Sequence, residues 1–155
     1  MSKLDTKQFR INDARAVRLK DYDPSTSEGL SKDDGEALLA DNLAKFDELQ
    51  QKLWANRSKG LLIVLQGIDT AGKDGAIRKV ITAFNPQGVV VNSFKQPSTL
   101  EASHDYLWRI HLRCPARGDI AVFNRSHYED VLVTRVHYTV SMSECEKRYR
   151  QIRDF

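Results

Sequence analysis

Two glycines and a lysine at the end of an apolar run are the residues whose types and spacing most clearly predict chemistry. The run is Leu61–Gln66; Gly67 follows it, and Gly72 and Lys73 come soon after. Glycine lets the backbone turn tightly, so that successive N–H groups can point at one anion, and the positive end of a following helix adds attraction. Lys73 supplies a full charge there. The pattern predicts a loop that binds a nucleotide or another phosphate chain; the alternative is a strand-to-helix turn that binds nothing.

The loop departs from the usual phosphate-binding pattern at one position. That pattern ends in a serine or threonine that ligates Mg²⁺, and this chain has Asp74 there. A carboxylate at this place either takes over part of the metal binding or leaves it to another residue, and Asp69 inside the loop is the nearest candidate. We expect the bound group to contact one continuous segment, which includes Gly67, Thr70, Ala71, Gly72, Lys73, Asp74 and Gly75.

A second polar segment follows another apolar run. Asn124 comes directly after Ile120–Phe123, where a P-loop protein usually places the acid that orients Mg²⁺. An amide is neither an anionic ligand nor a base, so the available anions are Glu129 and Asp130, and Arg125 is placed to neutralise phosphate charge. The alternative is a surface loop with ordinary salt bridges, because loops after strands are often polar.

The elements that must position both segments alternate between strand and helix. The hydrophobic pattern predicts strands at 61–66, 89–94 and 120–123, and helices over 36–54, after Lys73, from the capping box Ser98–Glu101 onward and from Ser141 onward. This alternation predicts an α/β fold with a doubly wound sheet, in which ligands lie outside the carboxyl ends of the strands. Both polar segments lie at that edge.

Composition limits the class of protein. At 155 residues, with 41% hydrophobic and 29% charged, the chain is long enough for one globular domain. Its net charge of +3 comes from residues 61–155, which hold 13 basic and 10 acidic side chains, against 11 and 11 in residues 1–60. That excess suits a polyanion but is too small to indicate nucleic acid. Without an 18-residue apolar run, a signal-peptide core or a CxxC pair, we expect a cytoplasmic protein that binds neither nucleic acid nor membrane.

Five motifs together resemble those of the family 2 polyphosphate kinases. They read G-I-D-T-A-G-K-D-G from residue 67, N-P-Q-G from 85, S-F-K-Q-P-S from 93, D-Y-L-W-R-I-H from 105 and F-N-R-S-H-Y-E-D-V-L-V from 123. The match spans about residues 36–155. We therefore divide the chain into an N-terminal arm, residues 1–35, and a partial P-loop polyphosphate kinase 2 domain, residues 36–155.

The resemblance implies a P-loop kinase-like fold, a three-layer αβα sandwich with a mostly parallel sheet, related to thymidylate kinases. It implies Mg²⁺-dependent transfer of phosphoryl groups between inorganic polyphosphate and adenine or guanine nucleotides, with AMP or ADP becoming ADP or ATP. Carried onto this sequence, Asp69 and Asp130 would hold Mg²⁺ or polarise the attacking phosphate. Lys73 and Arg125 would bind the transferring phosphates. Other members have aspartate at the position of Asn124. We place Asn124 among the ligand-binding residues. The N-R-S-H-Y-E-D motif resembles the subgroup that accepts nucleoside mono- and diphosphates.

The segment after the second strand has two interpretations. Lys95, Pro97 and Ser98 follow that strand and so face the ligand edge. The resemblance implies contacts with the acceptor nucleotide there, whereas the capping box that begins at Ser98 indicates a helix-capping loop.

The C-terminal residues, Arg150–Phe155, lie inside a helical pattern that has no stop signal. The resemblance implies further strands and a basic lid after them, and three strands are few for a sheet of this class, where about 5–6 are usual. We therefore expect a fragment or a truncated product, and a homo-oligomer for the complete protein. Two rival functions stay open, a thymidylate-kinase-like nucleotide kinase that uses ATP and an inactive phosphate-binding remnant.

Overall fold

The computed structural model of the chain describes residues 6–11 and 17–155. The chain divides into two compact units, Met1–Asn42 and Leu43–Phe155. Residues 1–5 and 12–16 of the predicted N-terminal arm lie outside the described residues. The rest of the arm contains two short 3₁₀ turns, and helix α1, Lys32–Leu43, begins within it. The boundary predicted after residue 35 therefore falls inside a helix.

Three strands form the centre of the second unit. They are β1 (Leu61–Leu65), β2 (Val89–Ser93) and β3 (Ile120–Asn124), close to the predicted ranges. All pairings are parallel and the strand order is β1–β3–β2. Residues 120–123 of β3 are at most 2% exposed, as expected for a central strand covered on both faces.

Helices cover both faces of this sheet. In chain order they are α2 (Phe46–Asn56), α3 (Lys73–Val80), α4 (Thr99–Ala102), α5 (Trp108–His111), α6 (Glu129–Val136) and α7 (Met142–Asp154). Leu53 of α2 and Ile77 of α3 pack with Val122 on one face, and Ile110 of α5 packs with Phe123 on the other. The predicted α/β fold with three layers is confirmed. Among the described residues, no helix combines the length and the apolar character needed to cross a membrane.

The helix predicted over residues 36–54 is in fact two helices. Helix α1 ends at Leu43 and α2 begins at Phe46. The pattern could not detect the interruption, because these two residues keep the three-residue spacing that a continuous helix would also show.

The single helix predicted after Ser98 is likewise interrupted, between α4 and α5. The capping box of Ser98 and Glu101 is present, but α4 is only four residues long. An oxygen of the Asp105 carboxylate then accepts a hydrogen bond from the N–H of Leu107 at 2.9 Å. An acidic side chain that bonds to the backbone two residues ahead forms a turn of its own, and it competes with a continuing helix.

The sequence left open a surface loop after Asn124. In the structure, helix α6 begins at Glu129. On α7, Cys145 and Ile152 are buried, whereas Tyr149 is 41% exposed although its spacing places it on the same helix face. The Tyr149 hydroxyl instead accepts a hydrogen bond from Arg135 at 3.1 Å, so this tyrosine does not belong to the core.

The register of the sheet brings the two polar segments together. Leu65 of β1 and Ser93 of β2 both pair with Asn124 of β3, which makes the three carboxyl ends level. The residues that follow each strand therefore emerge side by side at one edge.

Candidate functional site

The segment after β1 forms a tight loop that ends at the first turn of α3. Gly72 precedes the helix with φ of 85°, and Thr70 also has a positive φ, of 68°. A side chain at Gly67 would approach the Cβ of Ala71 to 3.1 Å, so glycine suits this close passage of the backbone. A loop with such turns at a helix N-terminus is suited to an anion.

The ammonium group of Lys73 lies over this loop. Its Nζ donates hydrogen bonds to the carbonyl oxygens of Gly67 and Ile68, both at 2.8 Å. The charge is thereby held at the place where the loop would bind phosphate. Phosphate oxygens would compete with these two carbonyls for the same protons.

An open cleft of about 510 Å³ lies at the carboxyl edge of the sheet. Residues that follow all three strands line it. Those predicted from the sequence are Asp69, Thr70, Gly72, Lys73, Asp74, Gly75, Lys95, Asn124 and Arg125, and the others are Ser93 and Phe94. The structure thus unites the two predicted segments with the end of β2, which the sequence placed at the same edge.

Asp74 and Asn124 both depart from the usual metal-binding pattern, and their side chains face each other in this cleft. Nδ2 of Asn124 donates a hydrogen bond to Oδ1 of Asp74 at 2.7 Å. An aspartate in place of Asn124 would set two carboxylates against each other, and like charges at this distance repel. The amide at 124 is therefore compatible with the carboxylate at 74.

Arg125 is restrained both in its backbone and in its side chain. Its φ is 63°, which is unusual for a residue other than glycine, and its N–H donates to the carbonyl of Leu65 at 3.0 Å. The guanidinium forms an ion pair with Asp69 and lies 3.5 Å from Oε1 of Glu129. Arg125 is thus the cation that joins the loop after β1 to the start of α6.

Asp130 does not line the cleft. Its Oδ2 lies 3.5 Å from Nη2 of Arg109, with only 12% of the Asp130 side chain and 7% of the Arg109 side chain exposed. Burial raises the pKa of the Asp130 carboxyl, although the nearby charges of Arg109 and Arg148 act to lower it. Arg148 also donates a hydrogen bond to the Asp130 carbonyl at 2.7 Å. Asp130 is therefore held by two arginines of other helices.

A second cavity, of about 630 Å³, contains Asp130 and Arg109. It shares Phe94, Lys95 and Arg125 with the cleft, so the two spaces adjoin at these residues. Arg109 also donates a hydrogen bond to the Lys95 carbonyl at 2.8 Å, which fixes the backbone at the boundary.

The oxygen ligands of the cleft fit a Mg²⁺ ion that is held largely by its substrate. Asp69 and Asp74 both line the cleft, and Mg²⁺ usually takes one or two carboxylates together with phosphate oxygens and water. Within residues 6–11 and 17–155, no group of three or more His, Cys, Asp or Glu side chains forms a ready metal site. A site shared by Asp69 and Asp130 stays a prediction, since these carboxylates face different arginines.

Several residues of the site were not identified from the sequence. Gln66 donates a hydrogen bond to the Glu129 carboxylate at 2.7 Å, and Arg109 fixes Lys95. The only sequence signal for Gln66 is a polar residue that closes an apolar strand directly before the loop. The partners lie 63 and 14 positions apart in the chain, so spacing alone could not reveal either contact.

Sequence comparison identifies the family to which this site belongs. The profile of Polyphosphate kinase 2 (PPK2) matches residues 29–155. The chain belongs to the polyphosphate kinase 2 family. An AMP/ADP-polyphosphate phosphotransferase of Meiothermus ruber is 44% identical in an alignment of 152 residues, which covers 96% of this chain and 57% of that protein. An ADP-polyphosphate phosphotransferase of Rhodopseudomonas palustris is 42% identical, over 98% of this chain and 57% of that protein.

A solved structure of the same family agrees with the fold. Polyphosphate Kinase 2 from Arthrobacter aurescens TC1 superposes with a TM-score of 0.85 and 46% identity, covering 90% of this chain and 52% of that one. The family resemblance predicted from five motifs is therefore confirmed. The assignment to a subgroup by the N-R-S-H-Y-E-D motif stays a prediction. The chain spans about half the length of the curated relatives it matches.

Proposed function

We propose that this chain supplies the phosphate-binding cleft of a phosphotransferase that moves phosphoryl groups between inorganic polyphosphate and nucleoside mono- or diphosphates. The observation that carries the proposal is the meeting of Lys73, Lys95 and Arg125 beside the loop after β1, in one open cleft. Three cations and a helix N-terminus suit a chain of phosphates better than a single carboxylate or a neutral ligand. The names of the two relatives support the same reaction.

In this proposal the cleft binds the polyphosphate chain. Lys73 gives up its hydrogen bonds to two loop carbonyls and binds phosphate oxygens instead. Arg125 gives up its ion pair with a carboxylate and binds the phosphoryl group that is transferred. Such reactions depend mainly on alignment and on neutralisation of charge in the transition state, so few covalent roles are required of the protein.

The adjoining cavity is the proposed position of the acceptor nucleotide. Phe94 and Pro97 supply apolar surface for a base, while Lys95 and Arg125 lie where the two cavities meet. Arg109 and Asp130 would act at the far side, with Asp130 polarising the attacking phosphate. Adenine nucleotides are the proposed acceptors, and we extend the proposal to guanine nucleotides.

Mg²⁺ is the proposed cofactor. Asp69 is the main protein ligand in this proposal, and Asp74 and the substrate phosphates provide further oxygens. When bound, the ion would neutralise charge that develops on the phosphoryl oxygens. A homo-oligomer of the complete protein remains a prediction.

The test uses the protein produced from its whole gene. ADP, or AMP in a parallel reaction, is incubated with long-chain polyphosphate and Mg²⁺, and ATP formation is followed by luminescence. We expect ATP from ADP only when polyphosphate is present. If ATP serves as phosphate donor while polyphosphate is inert, the protein is a nucleotide kinase and the proposal is wrong. If neither donor works although the loop binds tripolyphosphate, the chain is a binding remnant.

A further inference from the structure

Arg125 occupies a backbone conformation that needs support from its surroundings. A positive φ of 63° is costly for an arginine, and the side chain must cross from the end of β3 toward the loop after β1. One hydrogen bond, from the Arg125 N–H to the Leu65 carbonyl at 3.0 Å, holds the backbone. It does not determine the direction of the guanidinium group.

A polar network beneath the cleft holds one carboxylate beside that guanidinium. Nε2 of Gln66 donates to Oε1 of Glu129 at 2.7 Å, and the same Oε1 lies 3.5 Å from Nη1 of Arg125. The other end of the Gln66 amide is also fixed, because Oε1 accepts a hydrogen bond from Oγ of Ser126 at 3.1 Å. Ser126 is fully buried, and its hydroxyl accepts the N–H of Tyr128 at 3.2 Å.

The chemistry of the Gln66 side chain suits this position. It must donate to a carboxylate on one side and accept from a hydroxyl on the other, and of the side chains of this length only an amide does both. A glutamate would set a second negative charge against Glu129, and a methionine would make neither bond. Gln66 does not line the phosphate cleft, so it has no direct contact to offer a ligand there.

We infer that Gln66 is a positioning residue, which orients Arg125 for phosphate through the Glu129 carboxylate and is itself held by the buried Ser126. Only the phosphate ligand in this statement rests on the proposed function. The orientation of Arg125 by Gln66 is a property of the free chain and can be measured without any ligand.

The first measurement therefore concerns the free protein. Gln66→Met keeps the length of the side chain and removes both hydrogen bonds. Gln51→Met is the matched control, since Gln51 on α2 also donates to a carboxylate, that of Asp47 at 2.7 Å, on the exposed surface. Nitrogen relaxation of the Arg125 Nε–H signal is compared between each variant and the unaltered protein at one temperature. We expect a clear loss of order in Gln66→Met and none in Gln51→Met. An equally ordered Arg125 in Gln66→Met would overturn the inference.

The second measurement is calorimetric binding of tripolyphosphate in a double-mutant cycle. We expect Gln66→Met to weaken binding by about fivefold to tenfold. In an Arg125→Lys background the same change should weaken it by less than about twofold, because the effect passes through the guanidinium. A general structural defect would lower affinity equally in both backgrounds, and that result also refutes the inference.

The outcomes separate the two proposals. If the unaltered chain binds no tripolyphosphate, the proposed function fails, while the relaxation measurement still decides the role of Gln66. If Gln66→Met does not fold, Ser126→Ala replaces it, because this change keeps Gln66 and removes the hydroxyl that fixes its amide, together with the bond from the Tyr128 N–H. Reduced order of Arg125 in Ser126→Ala then supports the inference, and unchanged order contradicts it.

Discussion

Lys73 offers the most direct test of the phosphate-binding loop. Its Nζ lies 2.8 Å from two loop carbonyls, so the charge already lies where phosphate would bind. Two unit charges about 4 Å apart near a protein surface attract by about 4 kcal/mol. Giving up two carbonyl hydrogen bonds offsets about 1–2 kcal/mol of this. We therefore expect Lys73→Met to weaken tripolyphosphate binding by about 2–3 kcal/mol, which is about 30- to 150-fold.

A matched variant separates this local effect from net charge. Lys79→Met, near the end of the same helix, also lowers the net charge by one, from +3 to +2. Because Lys79 is exposed, screening should keep its effect below about twofold. Titration calorimetry gives the affinities. Urea unfolding should show a loss of about 1–2 kcal/mol for Lys73→Met, which gives up two carbonyl hydrogen bonds, and a smaller loss for Lys79→Met. In the proposed phosphotransfer assay, Lys73→Met should lower the rate of ATP formation by about 10²- to 10³-fold. Equal affinity losses in the two variants would falsify the assignment of the loop.

Three further predictions follow from other parts of the structure. We expect Asp69→Asn and Asp130→Asn each to raise the Mg²⁺ concentration that half-saturates activity. Asp69→Asn should have the larger effect because, of these two carboxylates, only that of Asp69 lines the cleft. Unchanged values in both variants would mean that neither carboxylate holds the ion. Burial, with a smaller contribution from His111, lowers the pKa of His127. The unfolded chain therefore binds a proton at this side chain more readily than the folded chain does. The free energy of unfolding should fall as the pH is lowered from about 7.5 to about 5.5. Urea unfolding checks this, and an equally steep loss in His127→Gln would contradict it. The 155 residues expressed alone should melt at low temperature and be nearly inactive, because edge strand β2 exposes valines; a cooperative melt with turnover like that of full-length relatives would contradict this.

The strands and the loop could be predicted from the sequence because local composition determines them. A buried parallel strand is an apolar run such as Leu61–Leu65, and Gly67 and Gly72 mark the turn that follows it. The position of Arg125 after an apolar strand was likewise readable, because polar segments at the ends of parallel strands meet at one edge. These features need no knowledge of distant partners.

Helix continuity and the pairing of charges could not be predicted, because they depend on particular side chains. The carboxylate of Asp105 forms a turn between α4 and α5 through a single hydrogen bond, which a hydrophobic pattern does not record. Asp130 follows the same strand as Arg125, yet its carboxylate faces Arg109, which lies on another helix. Spacing identified the acid, but packing in three dimensions determined its partner.

Two cations and both acids of the cleft are already paired in the free chain, and this limits how a polyanion can bind. Lys73 is bonded to loop carbonyls, Arg125 to Asp69 and Asp74 to Asn124. A phosphate that binds Arg125 competes directly with the Asp69 carboxylate. Once displaced, that carboxylate is free to ligate a cation near the same phosphate. Binding of the polyanion and of the cation should therefore be linked through the Asp69–Arg125 pair, and linkage requires that each increases the affinity for the other by the same factor. Calorimetry with tripolyphosphate at several Mg²⁺ concentrations measures that factor. Asp69→Asn removes the carboxylate charge that would leave Arg125 and ligate the cation. We therefore expect this variant to reduce the linkage factor toward the value that cation binding to tripolyphosphate alone would give.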